Sequence, residues 1–131
     1  MDGLDARASH VLRAQLLQQL GAQAHLLAHA TAKSGLGEGQ VQMVEAHGTG
    51  TALGDPTEAG ALAAVHGTSD RATPLVVGAA KASVGHSEAA SGQVGLLKLQ
   101  LLLVDAASAG NAQLHVPNPL VSERLKEGFV L

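Results

Sequence analysis

Two short apolar segments, each followed at once by a glycine-containing loop with a histidine, constrain the fold of this 131-residue chain most strongly. Residues 41–44 precede the loop HGTGTALG at 47–54, and residues 75–79 precede KASVGHSEAASG at 81–92. Short apolar runs bounded by turn residues are typical of buried strands. A helical pattern follows each loop, so the sequence predicts an α/β fold with both loops at strand ends, where sites form in such proteins.

Helical spacing accounts for most of the remaining chain. Leucines recur every three or four residues over 5–32 and predict an amphipathic helix, interrupted near Gly21. Asp55, as a cap, and Pro56 predict the start of a second helix that runs to Val65. Residues 93–107 are apolar on nearly every side, which predicts a helix covered by other protein. The tail is predicted to be loop through Pro119 and to end on a strand.

Length and composition exclude several classes of protein. The length suits one domain, with a helical segment at 1–33 and the rest at 34–131. A net charge of −3, one aromatic residue and no cluster of Lys and Arg argue against nucleic-acid binding. The absence of cysteine excludes disulfides, thiolate zinc sites and a cysteine nucleophile within this chain. No run approaches the roughly 20 apolar residues of a membrane span, so we expect a soluble intracellular protein, in the cytoplasm or an organelle.

The glycines of the first loop raise the alternative of a nucleotide-binding turn. Gly48, Gly50 and Gly54 follow a predicted strand and precede a predicted helix. The dinucleotide fingerprint is G-x-G-x-x-G, however, and here the third glycine comes one residue late. Asp70 also lies before the second strand, whereas the fingerprint places an acidic residue after it. Nucleotide binding therefore stands as a weaker hypothesis.

The second loop places Lys81 and Glu88 close to His86, which follows Gly85. A histidine between an ammonium and a carboxylate can be fixed in one tautomer and act as a hydrogen-bond donor. Two such loops, each after its own strand, favour a functional role for His47 and His86.

The remaining histidines carry weaker signals. His25 and His29 have the i, i+4 spacing of metal ligands, but no third ligand is evident, so we predict no metal site. His10 and His66 belong to no pattern, and His115 is interpreted as structural.

Three segments resemble the C-terminal part of β-ketoacyl synthases, above all the ketosynthase domains of type I polyketide and fatty-acid synthases. They are VEAHGTGTALGDPTEAGAL at 44–62, VVGAAKASVGHSEAASGQVGLLK at 76–98 and HVPNPLV at 115–121. The resemblance implies an incomplete thiolase-like fold of stacked α and β layers. It also implies decarboxylative Claisen condensation of acyl and malonyl-type thioesters, in fatty-acid or polyketide synthesis.

The same resemblance assigns roles to individual residues. His47 and His86 match the two active-site histidines, whose N–H groups stabilise the enolate formed as carbon dioxide leaves. Lys81 matches the lysine that supports the second histidine, and Glu88 the carboxylate that fixes this lysine. The loop glycines are Gly48, Gly50 and Gly85.

Thr49 and Thr51 match hydroxyls that bind the phosphopantetheine arm of the acyl carrier protein. This arm is a substrate carrier, and neither a bound cofactor nor a metal is implied. Two positions depart from the family pattern, because Ala82 and Ser83 stand where the family has Ser and Asn.

The resemblance also implies missing partners. The nucleophilic cysteine belongs to an N-terminal half that this chain lacks, and the complete enzyme is expected to be a homodimer. We expect the isolated chain to be inactive. The alternative is a truncated or split ketosynthase segment without activity that acts as an interaction module.

Overall fold

A computed structural model describes residues 2–67, 71–108, 110–112, 114–125 and 127–131, with side chains from residue 8 onward. Three strands form one sheet, namely β1 Met43–Glu45, β2 Leu75–Gly78 and β3 Phe129–Val130. Their order is β1-β2-β3 and both pairings are parallel, with Val44 opposite Val77 and Leu75 opposite Phe129. The predicted α/β class and both predicted internal strands are confirmed.

The described residues also form five helices. They are α1 Asp2–Ser34, α2 Gly54–His66, α3 Lys81–Val84, α4 Ser91–Asp105 and α5 Pro119–Arg124. Single 3-10 turns cover Glu38–Gln40 and Glu88–Ala90. Helix α2 connects two adjacent parallel strands, which is the βαβ arrangement.

Helix α1 is continuous, so the predicted interruption near Gly21 is wrong. A glycine inside a helix costs about 1 kcal/mol relative to alanine, which the surrounding turns of a 33-residue helix tolerate. Gly60 lets this helix approach α2 closely, because a Cβ atom there would lie 2.7 Å from Cδ1 of Leu20. Leu27 extends the same face of α1 onto the core.

The hydrophobic core lies between α2 and the sheet. Its buried members are Ala59, Leu62, Leu75, Val77 and Leu125. Because α2 contributes to the core and contacts α1 as well, most of its residues are buried. The sheet and α2 together form the frame from which both histidine loops extend.

The tail contains a helix that the sequence analysis missed. The side chain of Asn118 accepts a hydrogen bond from the Leu120 N–H at 3.0 Å, and Pro119 occupies the first turn of α5. Asn followed by Pro is a typical helix start. The predicted loop therefore ends at Asn118, one residue before the predicted end at Pro119. The predicted terminal strand is present as β3.

Helix α4 is as apolar as predicted, but its surface is open. Among its described residues only Gly95 is buried, while Leu97 is 59% exposed and Leu103 is 83% exposed. Within the described part of the chain, no element covers this face. Exposed apolar surfaces of this kind are typical of interaction sites.

His66 at the end of α2 makes the stability of the fold depend on pH. Burial, the largest effect, lowers the pKa of His66 from its ordinary value of 6.5. A backbone hydrogen bond with Glu38 raises this pKa, the charge of Arg71 lowers it and the charge of Glu38 raises it, and the net change is a lowering. The unfolded chain therefore binds more protons than the folded chain below pH 6.5. We expect the free energy of unfolding to fall as the pH decreases through this range.

Replacing His66 by glutamine should flatten this pH dependence. Denaturant unfolding between pH 8 and pH 5 measures it, and the exposed His25→Gln variant is the matched control. An unchanged slope of unfolding free energy against pH in His66→Gln would contradict the assignment.

Candidate functional site

The parallel pairing of β1 and β2 brings the two histidine loops to the same edge of the sheet. His47 lies two residues beyond β1, and the second loop begins three residues beyond β2 at Lys81. The imidazole rings of His47 and His86 are 5.8 Å apart between centroids and nearly perpendicular, at 89°. The structure thus brings together the two histidines that the sequence analysis singled out.

The first loop is fixed by a carboxylate from α2. Glu58 accepts the His47 N–H at 2.6 Å with one oxygen and the Gly48 N–H at 3.0 Å with the other. Gly48 has φ +47°, and a Cβ atom there would lie 2.7 Å from the Cβ atom of Ala79. Glycine is therefore required where the loop passes over the second strand.

Asp55 does not cap α2, contrary to the prediction. The residue before the helix is Leu53, which provides no side-chain cap, and Asp55 lies inside the first turn. Its two carboxylate oxygens instead accept the N–H of Gly50, at 3.2 and 3.1 Å. Asp55 therefore fixes the loop backbone at Gly50, which has a left-handed φ of +76°.

These two carboxylates argue against the nucleotide-binding alternative. A phosphate-binding loop presents free backbone N–H groups to an anion. Here the N–H groups of His47, Gly48 and Gly50 already donate to Glu58 and Asp55. Asp70, the acidic residue weighed for that alternative, lies outside the described residues.

Lys81 connects the second loop to the first. Its Nζ donates a hydrogen bond to the backbone carbonyl oxygen of His47 at 2.5 Å and lies 3.4 Å from His47 Nδ1. An ammonium group can only donate, so Nδ1 is the acceptor and the proton of the neutral imidazole is on Nε2. Lys81 therefore makes His47 an Nε2–H donor.

His86 is fixed in the same tautomer by its own loop. Its Nδ1 accepts the backbone N–H of Glu88 at 2.8 Å, and Oγ of Ser91 lies 3.3 Å away. A backbone N–H can only donate, so the His86 proton is also on Nε2. Gly85, at φ +77° directly after α3, provides the turn before His86.

The carboxylate of Glu88 is not paired with Lys81. In the described part of the chain, the only ion pair joins Lys98 to Glu45. The Lys81 ammonium contacts His47 instead of Glu88. Glu88 instead contributes its backbone N–H to His86, with φ at +45°. Glu88 thus lies at the site, but through its backbone.

Two neighbouring cavities open beside these loops. One, of about 500 Å³, is lined by Thr49, Lys81 and His86 among others, and is largely apolar toward α5. The other, of about 450 Å³, is lined by His47, Lys81 and Glu88 and by leucines of α4. Lys81 borders both. Thr51 is exposed, with its Oγ1 3.4 Å from that of Thr49.

Several residues that shape the site were missed by the sequence analysis. Asn111 accepts the Ala79 N–H at 2.7 Å and donates to the Val77 carbonyl at 3.0 Å, so it closes the end of β2 as a neighbouring strand would. Glu58 was missed as well. A carboxylate one turn into the helix after a glycine loop is the signal that would have indicated it.

No metal centre accompanies the site in the described part of the chain. The rings of His25 and His29 stack at 6.3 Å on an exposed face of α1, but no group of three or more His, Cys, Asp or Glu residues suited to a metal is present there. His10 and His115 are exposed. None of the described helices combines the length and apolar character needed to cross a bilayer.

Comparisons with known proteins agree on one family. Residues 8–115 match the family described as "Beta-ketoacyl synthase, C-terminal domain", so the match begins inside α1. The chain is 44% identical over 101 residues to the non-reducing polyketide synthase Preu3 of Preussia isomera, covering 76% of this chain and 4% of that protein. It is 44% identical over 101 residues to the erythronolide synthase EryA2 of Saccharopolyspora erythraea, covering 76% and 3%.

A solved structure agrees with these sequence comparisons. The oxazolomycin ketosynthase domain OzmH KS7 of Streptomyces albus JA3453 superposes with a TM-score of 0.73 at 30% identity. The superposition covers 85% of this chain and 19% of that domain's chain. The chain thus spans a small part of the proteins that it matches.

Replacing Glu58 by alanine should release the first loop. A hydrogen bond to a charged group contributes roughly 1.5–3 kcal/mol, so amide exchange at His47 and Gly48 should accelerate about 10-fold or more relative to the amides of β2. Hydrogen–deuterium exchange measured by NMR tests this. Glu123→Ala, at an exposed glutamate of α5, is the control. Equal exchange in both variants would contradict the assigned role.

Proposed function

Because the chain belongs to the β-ketoacyl synthase family, as part of its C-terminal domain, we propose that it supplies the decarboxylating half of a ketosynthase active site. The complete enzyme condenses an acyl group with a malonyl-type thioester in polyketide or fatty-acid synthesis. Several relatives that carry this segment are named polyketide synthases, which favours the polyketide pathway.

The observation that carries the proposal is the pair of Nε2–H donors, on His47 and His86, at one edge of the sheet. When a malonyl thioester loses carbon dioxide, negative charge develops on the thioester oxygen. Two donors that are already oriented stabilise this charge without reorganisation. The ammonium of Lys81 adds a fixed positive charge beside His47.

The thioester substrate arrives on the phosphopantetheine arm of an acyl carrier protein. Thr49 lines the larger cavity together with Lys81 and His86, which supports a role for its hydroxyl in binding the arm. Thr51 is exposed, and its Oγ1 lies 3.4 Å from that of Thr49. Amide and carbonyl groups along the arm suit hydroxyl partners, which both donate and accept.

The departures at Ala82 and Ser83 are compatible with this function. The α3 turn is formed by backbone bonds, from the Ala82 N–H to the Ala79 carbonyl and from the Ser83 N–H to the Ala80 carbonyl. The side chains that replace the family's Ser and Asn are therefore not needed to close the turn. Lys81 and Gly85 keep their places at its two ends.

The nucleophilic cysteine has to come from a segment outside this chain, which contains no cysteine. We propose that this segment, the N-terminal half of a ketosynthase, packs on the exposed apolar face of α4. Leu96 and Leu99 of α4 line the cavity that also contains His47 and Lys81, so a segment on this face adjoins the site. The isolated chain is accordingly inactive in condensation.

Grafting the chain into a related ketosynthase tests the assigned roles. In such a graft, which replaces the corresponding C-terminal segment, malonyl-thioester decarboxylation should fall about 100- to 1000-fold on His47→Ala or His86→Ala, as for other preorganised donors. The surface variant His29→Ala should leave the rate unchanged. Full activity in both active-site variants would refute the proposal.

The proposed contact on α4 predicts a second result. Leu101, 63% exposed, should lie in the contact, whereas Leu26 on α1, 67% exposed, should not. With the N-terminal half of a ketosynthase supplied as a separate chain, Leu101→Asp should weaken association at least 10-fold, because burying an unpaired carboxylate is costly. Leu26→Asp is the matched control. Equal affinities for the two variants, measured by calorimetry, would contradict the contact.

A further inference from the structure

An ion pair between Glu45 and Lys98 lies beside the two histidine loops, with the lysine side chain 25% exposed. Glu45, the last residue of β1, has a side chain that is only 9% exposed, and its Oε2 lies 2.7 Å from Nζ of Lys98 in α4. Its Oε1 accepts the backbone N–H of Ala80, the residue before Lys81. One carboxylate thus connects β1, the start of α3 and the middle of α4.

Two glycines, Gly78 and Gly95, lie close to the ion pair where a larger residue would contact it. A Cβ atom at Gly78 would lie 2.8 Å from Nζ of Lys98, 2.9 Å from Cε of Met43 and 3.1 Å from Oε2 of Glu45. A Cβ atom at Gly95 would lie 3.2 Å from Cγ of Glu45. Both glycines are buried and neither has a positive φ, so close approach to the ion pair explains them better than backbone conformation does.

Stability alone does not account for a charge pair at this position. Removing a carboxylate from water costs free energy that its attraction to a cation often fails to recover, so an ion pair at the largely buried Glu45 is weak evidence for a purely stabilising role. An unpaired carboxylate would attract a neighbouring positive charge, and a cation of its own counteracts this attraction. Here that neighbouring charge is the ammonium of Lys81.

Glu45 lies near this ammonium, because its carboxylate accepts the N–H of Ala80, the residue before Lys81. Glu45, Lys81 and His47 line the same cavity of about 450 Å³. Lys81 donates to His47, while Glu45 pairs with Lys98. A carboxylate that lacked a cation of its own would attract the Lys81 ammonium toward Ala80 and away from the imidazole, because the attraction between unlike charges exceeds that of a neutral acceptor.

We propose that the Glu45–Lys98 ion pair is a positioning device for the reaction. By neutralising Glu45, Lys98 leaves the Lys81 ammonium on His47, and Glu45 in turn sets the start of α3 through the Ala80 N–H. Lys98 therefore controls the tautomer of His47 without touching substrate. This inference rests on the proposed function only for its effect on turnover.

Imidazole ¹⁵N NMR on the 131-residue chain tests the positioning role directly, because it reports which ring nitrogen carries the proton. The Lys98→Met variant should convert His47 from the Nε2–H tautomer to a mixture, while His86, whose acceptor contact is with Glu88, stays unchanged. The double variant Glu45→Gln/Lys98→Met removes both charges and keeps an oxygen for the Ala80 N–H, so it should restore the parental His47 signal. Lys98→Arg should also keep it.

A purely structural pair gives a different pattern. Each single variant would then lower the melting temperature while the His47 signals stay parental, and this outcome overturns the proposal. Failure of the double variant to restore the His47 signal overturns it too. If Lys98→Met does not fold, Lys98→Gln carries the same test, since it keeps a donor to Glu45 without the charge.

Turnover separates this inference from the proposed function. In the grafted ketosynthase, Lys98→Met should slow malonyl-thioester decarboxylation about 10-fold, a cost typical of a displaced positioning group, and the double variant should recover it. An inactive parental graft together with the expected NMR pattern would reject the proposed function and leave the positioning role standing. A normal decarboxylation rate in a Lys98→Met graft would reject the positioning role alone.

Discussion

The parallel hydrogen bonding between β1 and β2 is the constraint on which the rest of the site depends. Parallel strands point their carboxyl ends to the same edge, so two loops that are 34 residues apart between His47 and Lys81 meet there. Helix α2 makes this pairing possible by crossing between the strands, and it then supplies Asp55 and Glu58 to the first loop. One βαβ unit therefore brings the two histidine loops together and also supplies the carboxylates that fix the first loop.

The charges at the site are divided between backbone and side chains in a consistent way. Carboxylates accept backbone N–H groups, as Glu58 does in the first loop and Glu45 does at Ala80, and Glu45 also pairs with the side chain of Lys98. The Lys81 ammonium binds a backbone carbonyl and an imidazole nitrogen. This division keeps the carboxylates away from the Nε2–H groups of His47 and His86, which stay free of anionic acceptors among the described contacts and suited to a developing negative charge.

Much of the fold and of the candidate site could be predicted from sequence, because the strands, the glycine loops and the spacing of the histidines are local features. The positions of β1, β2, α2 and α4 follow from runs and periodicities within a few residues of each other. The continuity of α1 past Gly21 could not be predicted from propensity alone, since packing on α2 contributes to it. The roles of Asp55, Glu58 and Asn111 depend on contacts between elements, which no local pattern specifies.

A structure of the grafted ketosynthase with a non-hydrolysable malonyl-thioester analogue tests the central claim most directly. The account predicts that the analogue's carbonyl oxygen lies about 3 Å from Nε2 of both His47 and His86, the distance at which such donors act. Lys81 should still be bound to His47 in that complex. An analogue whose carbonyl oxygen contacts neither imidazole, or imidazoles that present Nδ1 to it, would contradict the account.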